Sequence, residues 1–179
     1  MYPNSGYHLH WHNPIACHGN NEWSHGWHPH DYNWTNYNNS PSGTIPLQDY
    51  GTRPLVLNIE QAAKQNNTYR TALWTGKYFQ VTLMSINVGE DIGLEVHPTT
   101  DQFIRIEEGQ GLVQMGERRD KLDFQVMAYD GYAIMIPAGK WHNVTNTGNR
   151  PLKLYVIYAP PHHPYGTVQE TKAIAQGSR

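Results

Sequence analysis

The sequence predicts an all-β domain, a sandwich or barrel of short strands, entered through one short helix and preceded by an irregular N-terminal extension. Two observations carry this. Strand-like stretches follow one another near residues 69–74, 78–88, 92–97, 101–107, 111–116, 122–128, 132–136, 142–146 and 151–158. Turn formers separate them, at Gly109-Gln110-Gly111, from Gly116 to Lys121, and at Asn146-Thr147-Gly148-Asn149.

At the front of the chain, residues 1–50 have a composition of their own. Seven of the 11 His and four of the 6 Trp lie in the first 34 residues, and no Lys or Arg precedes Arg53. Interleaved Asn, Gly, Tyr and Pro leave neither a helical nor a strand period, so an irregular His-, Trp- and Asn-rich extension is expected. Two clusters stand out, Tyr7-His8-Leu9-His10-Trp11-His12 and His25-Gly26-Trp27-His28-Pro29-His30. Extended, the first puts three imidazoles on one side. Such a tail suits metal capture or assembly, and a low-complexity tail without a specific ligand is the competing reading.

Ile45 to Pro54 carries Pro46, Gly51 and Pro54 and reads as a linker into a domain spanning residues 51–165. Asn58-Ile59-Glu60-Gln61 has the form of a capping box before the helix formers Ala62, Ala63 and Lys64, so a short helix is expected to end near Asn66-Asn67. Pro160 and Pro161 stop the last strand, and residues 166–179 are left as a tail with a short helix from Val168 to Gln176. His162 and His163, flanked by prolines, read as surface residues.

Length fits one domain plus the extension, large enough to fold without staples. The single Cys17 excludes an intrachain disulfide. A net charge of -2 and the lack of any basic run beyond Arg118-Arg119 give no reason to expect nucleic-acid binding. No apolar run of transmembrane length and no basic-then-apolar leader is present, so neither a membrane partner nor secretion is expected and a cytoplasmic location is the default.

Two stretches carry chemistry. In the first, Asp130-Gly131 predicts a tight hairpin turn with positive φ at both central residues, and the strand Tyr132 to Ile136 follows. Pro137 cannot donate to a ladder and stops that strand, Gly139 permits a sharp reversal into the next, which carries His142, and Asn146 closes the segment. In the second, Glu95 and His97 stand two apart, which in a strand puts both on one face and makes both available to one metal. Gln102 begins a strand and shares its face with Ile104 and Ile106, while Asp101 falls on the opposite face. Glu95, His97, Gln102 and His142 are therefore the candidate metal shell. Trp141, Tyr132, Phe103, Met84 and Met135, within or beside these stretches, are candidates for core packing or for the pocket mouth.

These two stretches resemble the cupin superfamily, whose motifs read G-x5-H-x-H-x3,4-E-x6-G and G-x5-P-x-G-x2-H-x3-N. The second is matched at Gly131, Pro137, Gly139, His142 and Asn146. The first is matched at His97 and Gly109, with Glu95 where the pattern has its first His and Gln102 where it has Glu. The resemblance covers about residues 51–165, and residues 58–175 look like small single-domain bacterial cupins labelled phosphomannose-isomerase-like, that is, mannose-6-phosphate isomerase-like. It implies a double-stranded β-helix, or jelly-roll barrel, that pairs at least into a homodimer. The exchanges keep two imidazoles and one carboxylate, the set of the facial triad that suits Fe(II) and its neighbours. Gln102, a neutral amide, becomes a weak ligand or a group that orients bound water or substrate.

Two readings follow. The first is an enzyme with one divalent metal per chain, Fe, Mn, Zn or Ni, acting by isomerase or dioxygenase type chemistry on a small polar or sugar-like substrate, with no catalytic residue nameable outside the shell. The alternative is a structural or self-assembling protein, such as a spore-associated layer or filament, that uses the barrel as scaffold and the N-terminal tail as linker. A barrel that keeps the fold and has lost its metal stands against the first reading, although an unpaired buried Glu95 would cost several kcal/mol.

Overall fold

The computed structural model describes residues 43–177. The His- and Trp-rich clusters at residues 7–12 and 25–30, and Cys17, lie outside the described residues.

The elements run α1 (Ile59–Gln65), β1 (Arg70–Thr75), β2 (Gln80–Ile86), β3 (Asp101–Glu108), β4 (Gln110–Gly116), β5 (Phe124–Tyr129), β6 (Ala133–Ile136), β7 (Trp141–Asn146), β8 (Leu152–Ala159), β9 (Val168–Gln169) and α2 (Lys172–Gly177). A six-stranded sheet has the order β6-β3-β8-β2-β1-β9, and a three-stranded sheet the order β5-β4-β7. Every strand pair is antiparallel. The architecture is the expected all-β jelly roll with a short helix at each end of the barrel sequence.

Alternation along the strands sorts the side chains. On β8, Leu152, Leu154, Val156 and Tyr158 point into the barrel and join Met84, Ile86, Ile104, Ile106, Ile134, Ile136 and Val144 in its core. Leu83, on the other face of β2, turns outward and packs under α1 against Ala62 and Ala63. Burying each large side chain contributes about 1.5–3 kcal/mol, so this interior dominates the fold's stability. Asn146 ties the end of β7 across the barrel: its side-chain amide donates to the Ile86 and Arg150 carbonyls at 2.9 and 2.8 Å, and its oxygen accepts from Gly148 N at 2.9 Å.

Four local expectations differ from the structure. Residues 92–97 do not form a strand, because Gly93 takes φ +86° and its N–H donates to Asp91 Oδ1 at 2.6 Å, a turn that breaks the ladder. At Asp130-Gly131 only the glycine has positive φ, and Tyr132 N closes the turn on Tyr129 O at 2.9 Å. The Asn58 side chain does cap α1, accepting from Gln61 N at 3.0 Å, but the Gln61 amide donates to the Gly43 carbonyl instead of closing a capping box. Val168 and Gln169 pair with β1 as a strand, and the last helix starts only at Lys172.

The stretch read as a linker is packed. Ile45 is 1% exposed and lies in one cluster with Ala62, Ala63, Leu73 and Leu83, with Leu47 and Tyr50 packed against it. Its backbone is held from both sides by Gln65, whose Nε2 donates to Ile45 O at 2.6 Å and whose Oε1 accepts from Ile45 N at 3.0 Å. Among the five aromatic and Met candidates for the core, Met84 is buried, whereas Tyr132 and Met135 lie on the surface. Among the described residues no helix is long and apolar enough to cross a membrane.

Ile45→Ala should destabilise the protein by about 2–5 kcal/mol in urea unfolding, because it opens a cavity beneath α1. A loss below about 0.5 kcal/mol, the usual range for surface substitutions, would show that the segment is only laid against the barrel.

Candidate metal centre

Glu95 and His142 face each other across a single antiparallel bridge. Glu95 N donates to His142 O at 3.1 Å and His142 N donates to Glu95 O at 2.9 Å. Directly opposed residues of such a pair project to the same face, so the backbone alone brings this carboxylate and this imidazole together. Ile92 N to Val144 O at 3.1 Å and Asn146 N to Glu90 O at 2.8 Å continue the contact between the irregular segment and β7. His97 is placed by the corner: Gly139, at φ +83°, donates its N–H to His97 O at 2.8 Å. That conformation is open to glycine at little cost, which is what the Pro-x-Gly corner supplies.

One ligand atom from each of Glu95, His97 and His142 lies within 4.8 Å of the others, and all three residues are buried. Glu95 Oε1 is 3.2 Å from His97 Nε2 and 3.6 Å from His142 Nε2. His142 Nδ1 is 2.9 Å from the Lys140 carbonyl, which can only accept, so Nδ1 carries a proton and Nε2 is the atom turned towards Glu95. Nε2 of both rings has no hydrogen-bond partner. Two imidazole nitrogens and a carboxylate oxygen thus converge in a buried place, a donor set that could hold a metal ion. Burial works to raise the Glu95 carboxyl, but His142 and His97 beside it and the charge of Arg70 outweigh that and hold it well below the usual carboxylate range.

Gln102 is buried at the start of β3 with its Oε1 unpartnered, and its amide reaches the Tyr158 hydroxyl on the neighbouring strand. Asp101 faces the other way, as its parity requires, and accepts from Ala138 N at 2.8 Å.

The surroundings contain what the sequence did not announce. His162 lies with its ring centroid 4.2 Å from that of His97, and with Leu94, Glu95, Val96, His97, Arg119 and Trp141 it lines an open cleft of about 410 Å³. His162 is exposed, as expected of a proline-flanked loop, yet the loop lies over the site. Gln80 fastens it: Nε2 donates to His163 O at 3.0 Å and Oε1 accepts from His163 N at 3.0 Å. The His163 ring stands edge-on to Tyr158 at 5.0 Å, and its Nε2 is buried without a partner. The only signal for this in the sequence was two histidines close after the last strand. Their approach to the site depends on Gln80, some eighty residues away, which no local pattern reveals.

Burial, with the nearby positive charge of Arg70, pushes the His163 imidazole down to about 3 from an ordinary 6.5. The folded protein therefore keeps His163 neutral where the unfolded chain takes up a proton. This contribution to stability is fully present above pH 6.5 and is lost as pH falls from there towards 3. Replacing His163 with Gln should flatten the fall in melting temperature across that window, and an unchanged slope would assign the acid sensitivity to other groups.

A cupin domain model matches residues 82–158. The uncharacterized protein YrkC of Bacillus subtilis strain 168 is 68% identical over 129 residues, which are 72% of this chain and 69% of that protein. An uncharacterized protein of Acanthamoeba polyphaga mimivirus is 38% identical over 124 residues, 69% of this chain and 76% of that one. A crystal structure from Bacillus halodurans superposes with a TM-score of 0.72 at 68% identity, covering 73% of this chain and 98% of that chain. One from Thermus thermophilus, at 22% identity and a TM-score of 0.51 over 60% of this chain and 98% of that chain, shares the fold. With the jelly-roll topology and the Gly-Pro-Gly-His-Asn motif on the barrel, these matches show that the chain belongs to the cupin family.

Proposed function

We propose that the protein binds one divalent metal ion through Glu95, His97 and His142 and acts as a metal-dependent enzyme on a small polar or sugar-like molecule. One observation carries this reading. Nε2 of His97 and of His142 and the Glu95 carboxylate converge in a buried place, while the Lys140 carbonyl holds Nδ1 of His142 and leaves Nε2 facing the carboxylate. A buried carboxylate facing two ring nitrogens is stable only with a proton or a metal cation between them, and two imidazoles with one carboxylate match the preference of Fe(II), Mn, Ni and Zn.

When bound, such an ion supplies a Lewis acid that polarises a substrate carbonyl, suited to isomerase or dioxygenase type chemistry. The protein's own residues supply the rest. The Lys140 carbonyl orients the His142 ring, and the bridge to Glu95 fixes the distance between the two donors. Trp141 and Arg119 form one wall of the cleft, with the guanidinium 5.9 Å from the indole ring centre. His162 stands at the mouth with its ring against His97 and is exposed, so it is placed to exchange a proton between a molecule in the cleft and solvent. Gln102 belongs to the barrel interior with Tyr158, where it orients what binds and is not a strong ligand.

Elemental analysis tests the site. The purified full-length protein should carry about one metal ion per chain in the barrel, and Glu95→Ala and His142→Ala should each cost about 10–100-fold or more in metal affinity. Gln102→Ala should leave the stoichiometry unchanged. Undiminished occupancy in the Glu95→Ala/His142→Ala double variant would sink the site.

A further inference from the structure

The barrel interior holds a cation that the metal site does not need. Arg70, on β1, is 2% exposed, and among the described residues no ion pair joins it to a carboxylate. Its guanidinium donates to Gln169 Oε1 at 2.8 Å, approaches Met84 Sδ at 3.9 Å, hydrogen-bonds the Tyr158 hydroxyl and lies 5.3 Å from the centre of the Tyr69 ring, while Nε has no partner. Burying a charged guanidinium with a donor unused is costly, and native interiors contain few such atoms. Here they cluster. Thr82 Oγ1 and Gln102 Oε1, on barrel-facing positions of β2 and β3, are also buried and unpartnered, as are Nε2 of His97 and His142.

The charge balance gives the sign of what is missing. Arg70 and Glu95 carry opposite charges and offset each other. A divalent ion at Glu95, His97 and His142 would leave the interior with a charge of about +2, which a low-dielectric enclosure disfavours. An anion that accepts from Arg70 and takes an open metal position removes both the excess charge and the unused donor. A planar guanidinium fork matches carboxylate and phosphate oxygens alike.

We propose that Arg70 is an anion anchor inside the barrel, and that the substrate class of this site is a small oxyanion, a carboxylate or a phosphate, held between Arg70 and the metal ligands. This rests on the metal-dependent reading above and narrows its small polar substrate to an anionic one.

Calorimetric titration of the metal-loaded full-length protein tests it with three probes: oxalate for a carboxylate, inorganic phosphate, and glucose as a neutral polyol. Binding of oxalate or phosphate, with glucose far weaker, is expected, and the tighter anion names the source. Arg70→Met should weaken the anion by about 10–150-fold, the worth of a charge-assisted hydrogen bond, at unchanged metal content. Arg150→Met, at an exposed arginine paired with Glu108 and outside the residues that line the cleft, should leave affinity within about threefold, as expected for an exposed charge. Equal anion affinity in Arg70→Met, tighter glucose than anion, or no anion binding at all overturns the proposal. Should Arg70→Met fail to fold, a crystal structure of the wild-type complex decides: an anion oxygen within hydrogen-bonding distance of Arg70 upholds the anchor, and an anion bound elsewhere overturns it. A wild type that holds no metal overturns only the metal reading. The same titrations on the metal-free chain then test Arg70, with anion binding lost in Arg70→Met as support and no anion binding as refutation.

Discussion

Two backbone hydrogen bonds between Glu95 and His142 organise this molecule's chemistry. They join the start of β7 to an irregular segment that meets this strand at two separate bridges, Glu95–His142 and Asp91–Thr145, because the turn at Asp91-Gly93 interrupts the ladder between them. A continuous strand over residues 92–97 would bury its alternate side chains against the barrel as β8 does. The isolated bridge leaves the chain beyond Glu95 free to bend, so that His97 O can accept from Gly139 N and its ring can come to Glu95 from another direction. The donor set is thus assembled by two separate backbone attachments, one to β7 and one to the Pro-x-Gly corner. Asn146, four residues beyond His142, holds the far end of the same strand with three side-chain hydrogen bonds.

Much of this was legible in the sequence, for definable reasons. Period-two alternation and turn residues disclose a strand wherever one face is buried, which held for eight of the nine stretches expected. The corner at Pro137 and Gly139 was legible because each residue has one conformational role there. The pairing of Glu95 with His97 was reached through a strand that does not exist, yet the two do meet, since the bridge at Glu95 and the anchor at His97 have the same effect as strand parity.

What stayed hidden depends on contacts between distant residues. Ile45 looked like linker because Pro46 and Gly51 flank it, and only the Gln65 side chain and the pocket under α1 explain why it is buried. His162 and His163 looked like surface residues because prolines surround them, and the two Gln80 hydrogen bonds that set them over the site join the second strand to the last loop. Arg70 has no signature in the sequence, since one arginine in a strand looks like any other until its burial is known. In each case a polar side chain, Gln65, Gln80 or Arg70, carries the long-range information, and hydrophobic periodicity is blind to polar residues that point inward.

These hidden residues share one physical setting. The lower barrel is filled by Ile, Leu and Val, which need no partners, whereas the end that carries Glu95 holds Arg70, Gln80, Gln102, Tyr158 and the histidines. Such a polar interior is stable only if its groups satisfy one another, and several do: Gln80 with His163 and Thr75, Tyr69 hydroxyl with the Ile92 carbonyl at 2.7 Å. Those left over lie around Glu95: Nε2 of His97 and His142, the Gln102 carbonyl oxygen and the Nε–H of Arg70. A fold that had merely discarded its chemistry would gain by replacing such groups with apolar ones of similar size. Under the proposed reading, the ring nitrogens beside Glu95 would hold the metal ion and the Arg70 donor its counter-ion.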